Sequence, residues 1–132
     1  MTTATRRRDW ASVNLLMGIV GLLGIAFVGF AELTGLPRLY VNAAALVLIV
    51  SLPIMFFTRK ADEYTLSLWS SGTNAAFAIV IVWLVGAPAI EGFFDGLFGI
   101  EGGQDFPDRG ASVAALFAFY LAFNGKRLLG AL

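Results

Sequence analysis

Few residues of this 132-residue chain have types and spacing that could do chemistry, and most of them fall in two groups. Ser67, Ser70 and Asn74 follow Glu63 at steps of four, three and four, so on a helix they form one polar stripe, running inward from the end that carries Asp62 and Glu63. Hydroxyls and an amide at that spacing could hydrogen-bond a neighbouring helix or line a hydrated path, and the carboxylates could move a proton. The second group is acidic: Glu91, Asp95, Glu101, Asp105 and Asp108. Their spacing does not match the oxygen-ligand pattern of a calcium loop, so no metal site is expected there. Cysteine and histidine are absent, which excludes thiol catalysis, disulfides, iron–sulfur ligation and bis-histidine haem, and removes the commonest zinc ligands.

The elements that must position these groups are membrane spans. With 58% hydrophobic and 14% charged residues, the composition lies outside the soluble globular range. A hydrocarbon core of about 30 Å takes roughly 20 apolar residues per helix, so four crossings fit the length and leave room for turns and one loop. The expected fold is an all-α integral membrane protein forming one domain over 1–132. Its four transmembrane helices, at about 11–32, 39–58, 64–87 and 110–131, form two antiparallel hairpins, with an outer segment over 88–109 between the third and fourth. Arg6, Arg7 and Arg8 precede the first apolar run. That run is longer than the roughly 7–15 residues of a secretory h-region, so it reads as a retained span.

Small residues mark faces for close helix packing. Gly18 and Gly21 provide one such face on the first span, and Ala111, Ala115, Ala118 and Ala122 provide another on the fourth. Phe117, Phe119, Tyr120 and Phe123 then cover the rest of the fourth helix, turned to lipid or to a partner, and a bound lipid, quinone or carotenoid would lie along them. Asn14 and Asn124 are the expected mates of the polar stripe. Pro53 should kink the second span, with Ser51 or a neighbouring helix satisfying the carbonyl it frees. Asp62 should cap the third.

In the outer segment Ile90, Phe93, Phe94, Leu97 and Phe98 follow the i, i+3, i+4, i+7, i+8 pattern, which predicts a short amphipathic interfacial helix. Gly99, Gly102 and Gly103 should break it, and Asp105, Pro107 and Asp108 carry helix-start chemistry for the fourth span. Phe93, Phe94, Leu97 and Phe98 are the candidate partner-contact residues. Seven of the nine basic residues fall on the side of the two termini, and six of the nine acidic residues on the other. By the positive-inside rule the termini are cytoplasmic and the outer segment faces the exterior of a bacterial inner membrane.

Val41 and Asn42 resemble the start of the Val-Asn-x-x-Gly segment of small fluoride channels. The Gly-Gly-x-x-Gly-Ala-x-x-Arg and Phe-Ser-Thr-Phe motifs of that family have no counterpart here. Small multidrug transporters are similar in length but carry a carboxylate within the first span, which this chain lacks. No ionisable side chain falls in the middle of any expected span, whereas ion-coupled transport usually keeps one at that depth. The expected function is therefore non-enzymatic: a small accessory subunit of a larger energy-converting complex, respiratory or photosynthetic. It has no intrinsic cofactor and no nucleic-acid partner, and other membrane subunits and the bilayer are its surroundings. The alternative is a homo-oligomeric channel or carrier that uses Ser67, Ser70 and Asn74.

Overall fold

A computed structural model describes residues 3–100 and 110–130. All regular structure among them is helical: α1 (Thr3–Thr34), α2 (Arg38–Thr58), α3 (Glu63–Ile81), a π-helical segment (Val82–Gly86), α4 (Ala87–Phe98) and α5 (Ala111–Gly130). Thr3–Thr34, Arg38–Thr58 and the run Glu63–Phe98 are long and apolar enough to cross a membrane, with mean hydropathies of 2.3, 2.2 and 2.0.

Local chemistry sets most helix ends. Gly35 terminates α1 in the left-handed conformation (φ 67°), which lets the Leu36 N–H donate to the Ala31 carbonyl at 3.0 Å. Gly99 ends α4 in the same way (φ 63°), with the Ile100 N–H donating to Asp95 O at 3.0 Å. Asp62 caps α3: its Oδ1 accepts from the Thr65 N–H at 2.6 Å, while Thr65 Oγ1 accepts from the Asp62 N–H at 3.3 Å.

Two boundaries differ from those read in the sequence. α1 begins at Thr3 rather than near 11, so Arg6, Arg7 and Arg8 ride on the helix itself. Pro88 does not interrupt the third helix either. The backbone stays right-handed helical at Ile81, Val82, Gly86 and Ala87, and the Ala87 N–H reaches back to Val82 O, one residue beyond the α-helical partner. A wide π turn just before the proline leaves room for its ring and lacks nothing when its N–H is missing. The expected breaks at Gly102 and Gly103, and the helix start at Asp105, Pro107 and Asp108, lie outside the described residues.

α1 lies along α2, with Asn14 meeting Met55 and Thr58, Gly24 meeting Ala44 and Leu48, and Glu32 meeting Arg38. α3 lies along α5, with Tyr64 reaching Arg127, Ser67 reaching Lys126 and Gly72 against Phe119. α5 also packs on α1. The buried cluster combines Ile25, Leu48, Met55, Leu68, Phe119, Tyr120 and Phe123, drawn from all four long helices.

Candidate functional site

The interior is a set of rings seated over glycines. A Cβ added to Gly18 would stand 2.5 Å from Phe123, one at Gly72 would stand 2.7 Å from Phe119, and one at Gly21 would overlap the ring of Tyr120. Gly18 and Gly21 therefore are the hollows that α5 fills, and they meet aromatic rings rather than a second small-residue face. This corrects the expected layout of α5. Phe119, Tyr120 and Phe123 are buried, while only Phe117 of that set is substantially exposed. Ala111 and Ala115 are buried beside them, and Ala118 and Ala122 are half-buried. The rings also meet edge to face: Trp69 of α3 and Phe119 of α5 have centroids 5.0 Å apart, and the consecutive Phe119 and Tyr120 of α5 5.1 Å apart. A lipid, quinone or carotenoid therefore would not find Phe119, Tyr120 and Phe123 open. The open apolar groove, about 390 Å³, lies instead between α1 and α2 against Val20, Phe27, Tyr40 and Val47.

Polar side chains inside the bundle bond within it, with one atom left over. Asn14 is fully buried, and its Nδ2 donates to Met55 O and to Thr58 Oγ1, both at 2.8 Å. Its Oδ1 is buried without a hydrogen-bond partner. Ser51 Oγ and the Tyr120 hydroxyl are 2.7 Å apart, and Ser51 also reaches Leu48 O at 3.4 Å. Asn124 Nδ2 donates to Gly18 O and to Tyr120 O, both at 2.9 Å. Neither asparagine meets the polar stripe of α3, whose expected mates they were. Asn14 and Asn124 face α2 and α1 because those are the backbones that the glycine contacts bring close.

The stripe itself divides. Ser67 is half-buried and accepts from Lys126 Nζ at 2.7 Å. Ser70 and Asn74 are exposed on the outer side of α3, and neither side chain has a hydrogen bond to a described residue. Below them on the same side, Phe77, Ile81 and Leu84 are exposed as well. The spacing from Ser70 through Asn74, Phe77 and Ile81 to Leu84 alternates between four and three, so one outer seam runs from α3 into the π segment.

α4 continues that run, and none of its residues is buried. Its apolar side is open along its length: Phe93 is 65% exposed, Phe98 71%, and Phe94 and Leu97 more than half. Phe94 and Phe98 stack in parallel at 6.2 Å, with Phe93 edge-on to Phe94 at 5.9 Å. α4 makes its contacts chiefly with the π segment that leads into it. The acids on its other side form no metal cluster; among the described residues no group of three or more carboxylates comes together.

Three of the seven cations at the opposite end are tied to internal partners. Arg59 stacks over the Phe56 ring at 3.5 Å and donates to Phe56 O at 2.9 Å. Arg127 donates to Leu15 O at 3.2 Å, and Lys126 is held by Ser67. Arg38 pairs with Glu32 at 3.3 Å across the α1–α2 turn, an exposed pair of little energetic weight. No protein-family model, curated protein or solved structure matches the chain.

Proposed function

We propose that the protein is a non-catalytic structural subunit of a larger assembly in a bacterial inner membrane, of the energy-converting class, respiratory or photosynthetic. In this reading it crosses the bilayer four times as two antiparallel hairpins, α1 with α2 and α3 with α5, with its termini on the cytoplasmic side where most cations lie. The run Glu63–Phe98 has 36 residues, about 54 Å of helix at about 1.5 Å per residue, against a hydrocarbon core of about 30 Å. α4 then emerges into the outer headgroup layer, where its phenylalanines are positioned for a neighbouring subunit.

The observation that carries the proposal is the unpaired amide of Asn74. It sits about 16 Å along the helix from Glu63, near the middle of the core, and is exposed with no hydrogen bond to another described residue. Exposed phenylalanines alone are at ease in lipid, which is as apolar as they are. An amide is not, because hydrocarbon offers it no hydrogen bond, and another transmembrane helix with a polar group opposite does. Asn74 with Ser70 above and Phe77 below fits such a helix.

Gentle detergent extraction followed by native electrophoresis tests this. The protein should migrate far above its own 14.1 kDa together with other polypeptides, and Asn74→Leu combined with Phe93→Ala and Phe98→Ala should release it. A stable monomer would overturn the proposal. A pure homo-oligomer would favour the second reading, a channel or carrier built on the same exposed Ser70 and Asn74, for which Asn74→Leu should abolish flux in liposomes.

A further inference from the structure

Of the basic residues near the start of α1, the end of α2 and the end of α5, Arg59, Lys126 and Arg127 are tied to internal partners. Arg7 and Lys60 are not, yet the two line one cleft of about 390 Å³ where the start of α1 passes the end of α2. Trp10, Phe57, Thr58 and Ala61 complete its wall. The acids nearby do not pair with the two cations: neither Arg7 nor Lys60 forms an ion pair with Asp9, Asp62 or Glu63, and Asp62 Oδ1 is turned to the Thr65 N–H. The Trp10 indole, a hydrogen-bond donor only, has no acceptor among the described residues.

We infer that this cleft binds the phosphate of an anionic phospholipid at the membrane surface. Two cations and an indole N–H supply donors for phosphate oxygens, and Trp10 and Phe57 form an apolar wall at the depth where acyl chains begin. A free phosphate would satisfy the cations but leave that wall against water. A lipid satisfies both. The inference needs only that α1 and α2 cross a bilayer, and it is independent of any partner at Asn74.

Native mass spectrometry of the full chain in detergent tests it, with phosphatidylglycerol, phosphatidylcholine and inorganic phosphate as probes. The wild-type chain should retain phosphatidylglycerol in preference to phosphatidylcholine. Arg7→Gln with Lys60→Gln should weaken that retention about 30-fold, as expected for two cations close to an anionic headgroup. Arg6→Gln with Arg8→Gln removes the same charge from the same helix end but not from the cleft, and should change retention by no more than about 3-fold. Equal losses in the two pairs would mean diffuse attraction and overturn the site, as would no preference between the lipids. Displacement of phosphatidylglycerol by millimolar inorganic phosphate would overturn the lipid assignment in favour of the free anion. Circular dichroism should show the same helicity in both pairs.

Discussion

The interior seam of α1, α2 and α5 and the outer seam of α3 and α4 are built from the same residue types put to opposite use. Inside, two glycines of α1 receive rings: Gly18 takes Phe123 and Gly21 takes Tyr120. Outside, Gly92 and Gly96 have nothing within 4 Å of where a Cβ would stand, and Phe93, Phe94 and Phe98 lie open. Inside, Asn14 and Asn124 bond to backbone carbonyls of neighbouring helices; outside, the Asn74 side chain has no hydrogen bond to another described residue. The lesson concerns lipid as a solvent. Burial of apolar area gives little drive between helices in a membrane, so close van der Waals fit and hydrogen bonds decide which faces meet. The inner seam has both. The outer seam has the groups for both and lacks the second surface.

The sharpest way to break this contrast is to put side chains into the glycines of each seam. Gly21→Leu has no space, since even a Cβ would overlap Tyr120 and the Leu is far larger. It should cost about 3 kcal/mol or prevent folding, as overpacking of a tight core does. Gly92→Ala meets open space on a helix and should stabilise by about 0.5 kcal/mol through the better helix propensity of alanine. Reversible unfolding in mixed micelles, followed by circular dichroism, reads both. Comparable losses at the two positions would show that α4 is packed as tightly as the interior.

Which parts of this were legible in the sequence follows from whether the deciding interaction is local. The turn at Gly35, the break at Gly99 and the cap at Asp62 depend on a few consecutive residues, and their residue types announce them. That three helical runs are long and apolar enough to cross a membrane depends on composition and is as plain. The inward face of α5 was not legible. Its alanine side and its aromatic side are both apolar, and in lipid neither is marked as interior by hydrophobicity. Only the glycines at 18, 21 and 72, read as sockets for large rings instead of seats for small residues, would have pointed to Phe119, Tyr120 and Phe123. The partners of Asn14 and the cleft between Arg7 and Lys60 depend on residues far apart in the chain. Charge counting registered those cations as a topology signal and could not distinguish the tethered Arg59 from the free Lys60. The π turn before Pro88 was hidden too, because a proline is usually read as a stop and here the backbone widens ahead of it.

Asn14→Leu should have a smaller effect than Gly21→Leu. The substitution removes two hydrogen bonds of 2.8 Å, but it also removes the buried Oδ1 that has no partner. The loss and the relief oppose each other, and a net destabilisation of about 1 kcal/mol is expected, within the range for polar contacts between membrane helices. Asn14→Asp would keep the shape while changing both donors into acceptors facing the Met55 carbonyl, so it should cost more than leucine does. If instead aspartate were tolerated and leucine were not, a donor absent from the chain must be supplying Oδ1, and the interior would be less self-contained than its hydrogen bonds indicate.

Asn74→Leu is the mirror of that substitution and should leave the stability of the isolated chain unchanged to within about 0.5 kcal/mol, because the exposed side chain gives up no hydrogen bond to a described residue. The same change should matter only when the outer seam is covered. Measured on the purified monomer in detergent, unfolding free energies of the two leucine variants should therefore separate by about 1 kcal/mol, with Asn14→Leu the weaker protein. Measured on gently extracted membranes, the order should invert: Asn14→Leu migrates with its assembly, and Asn74→Leu does not. An exposed amide that lowers monomer stability when removed would have to be bonding within its own chain, and the distinction between the two seams would then collapse at the residue that defines it.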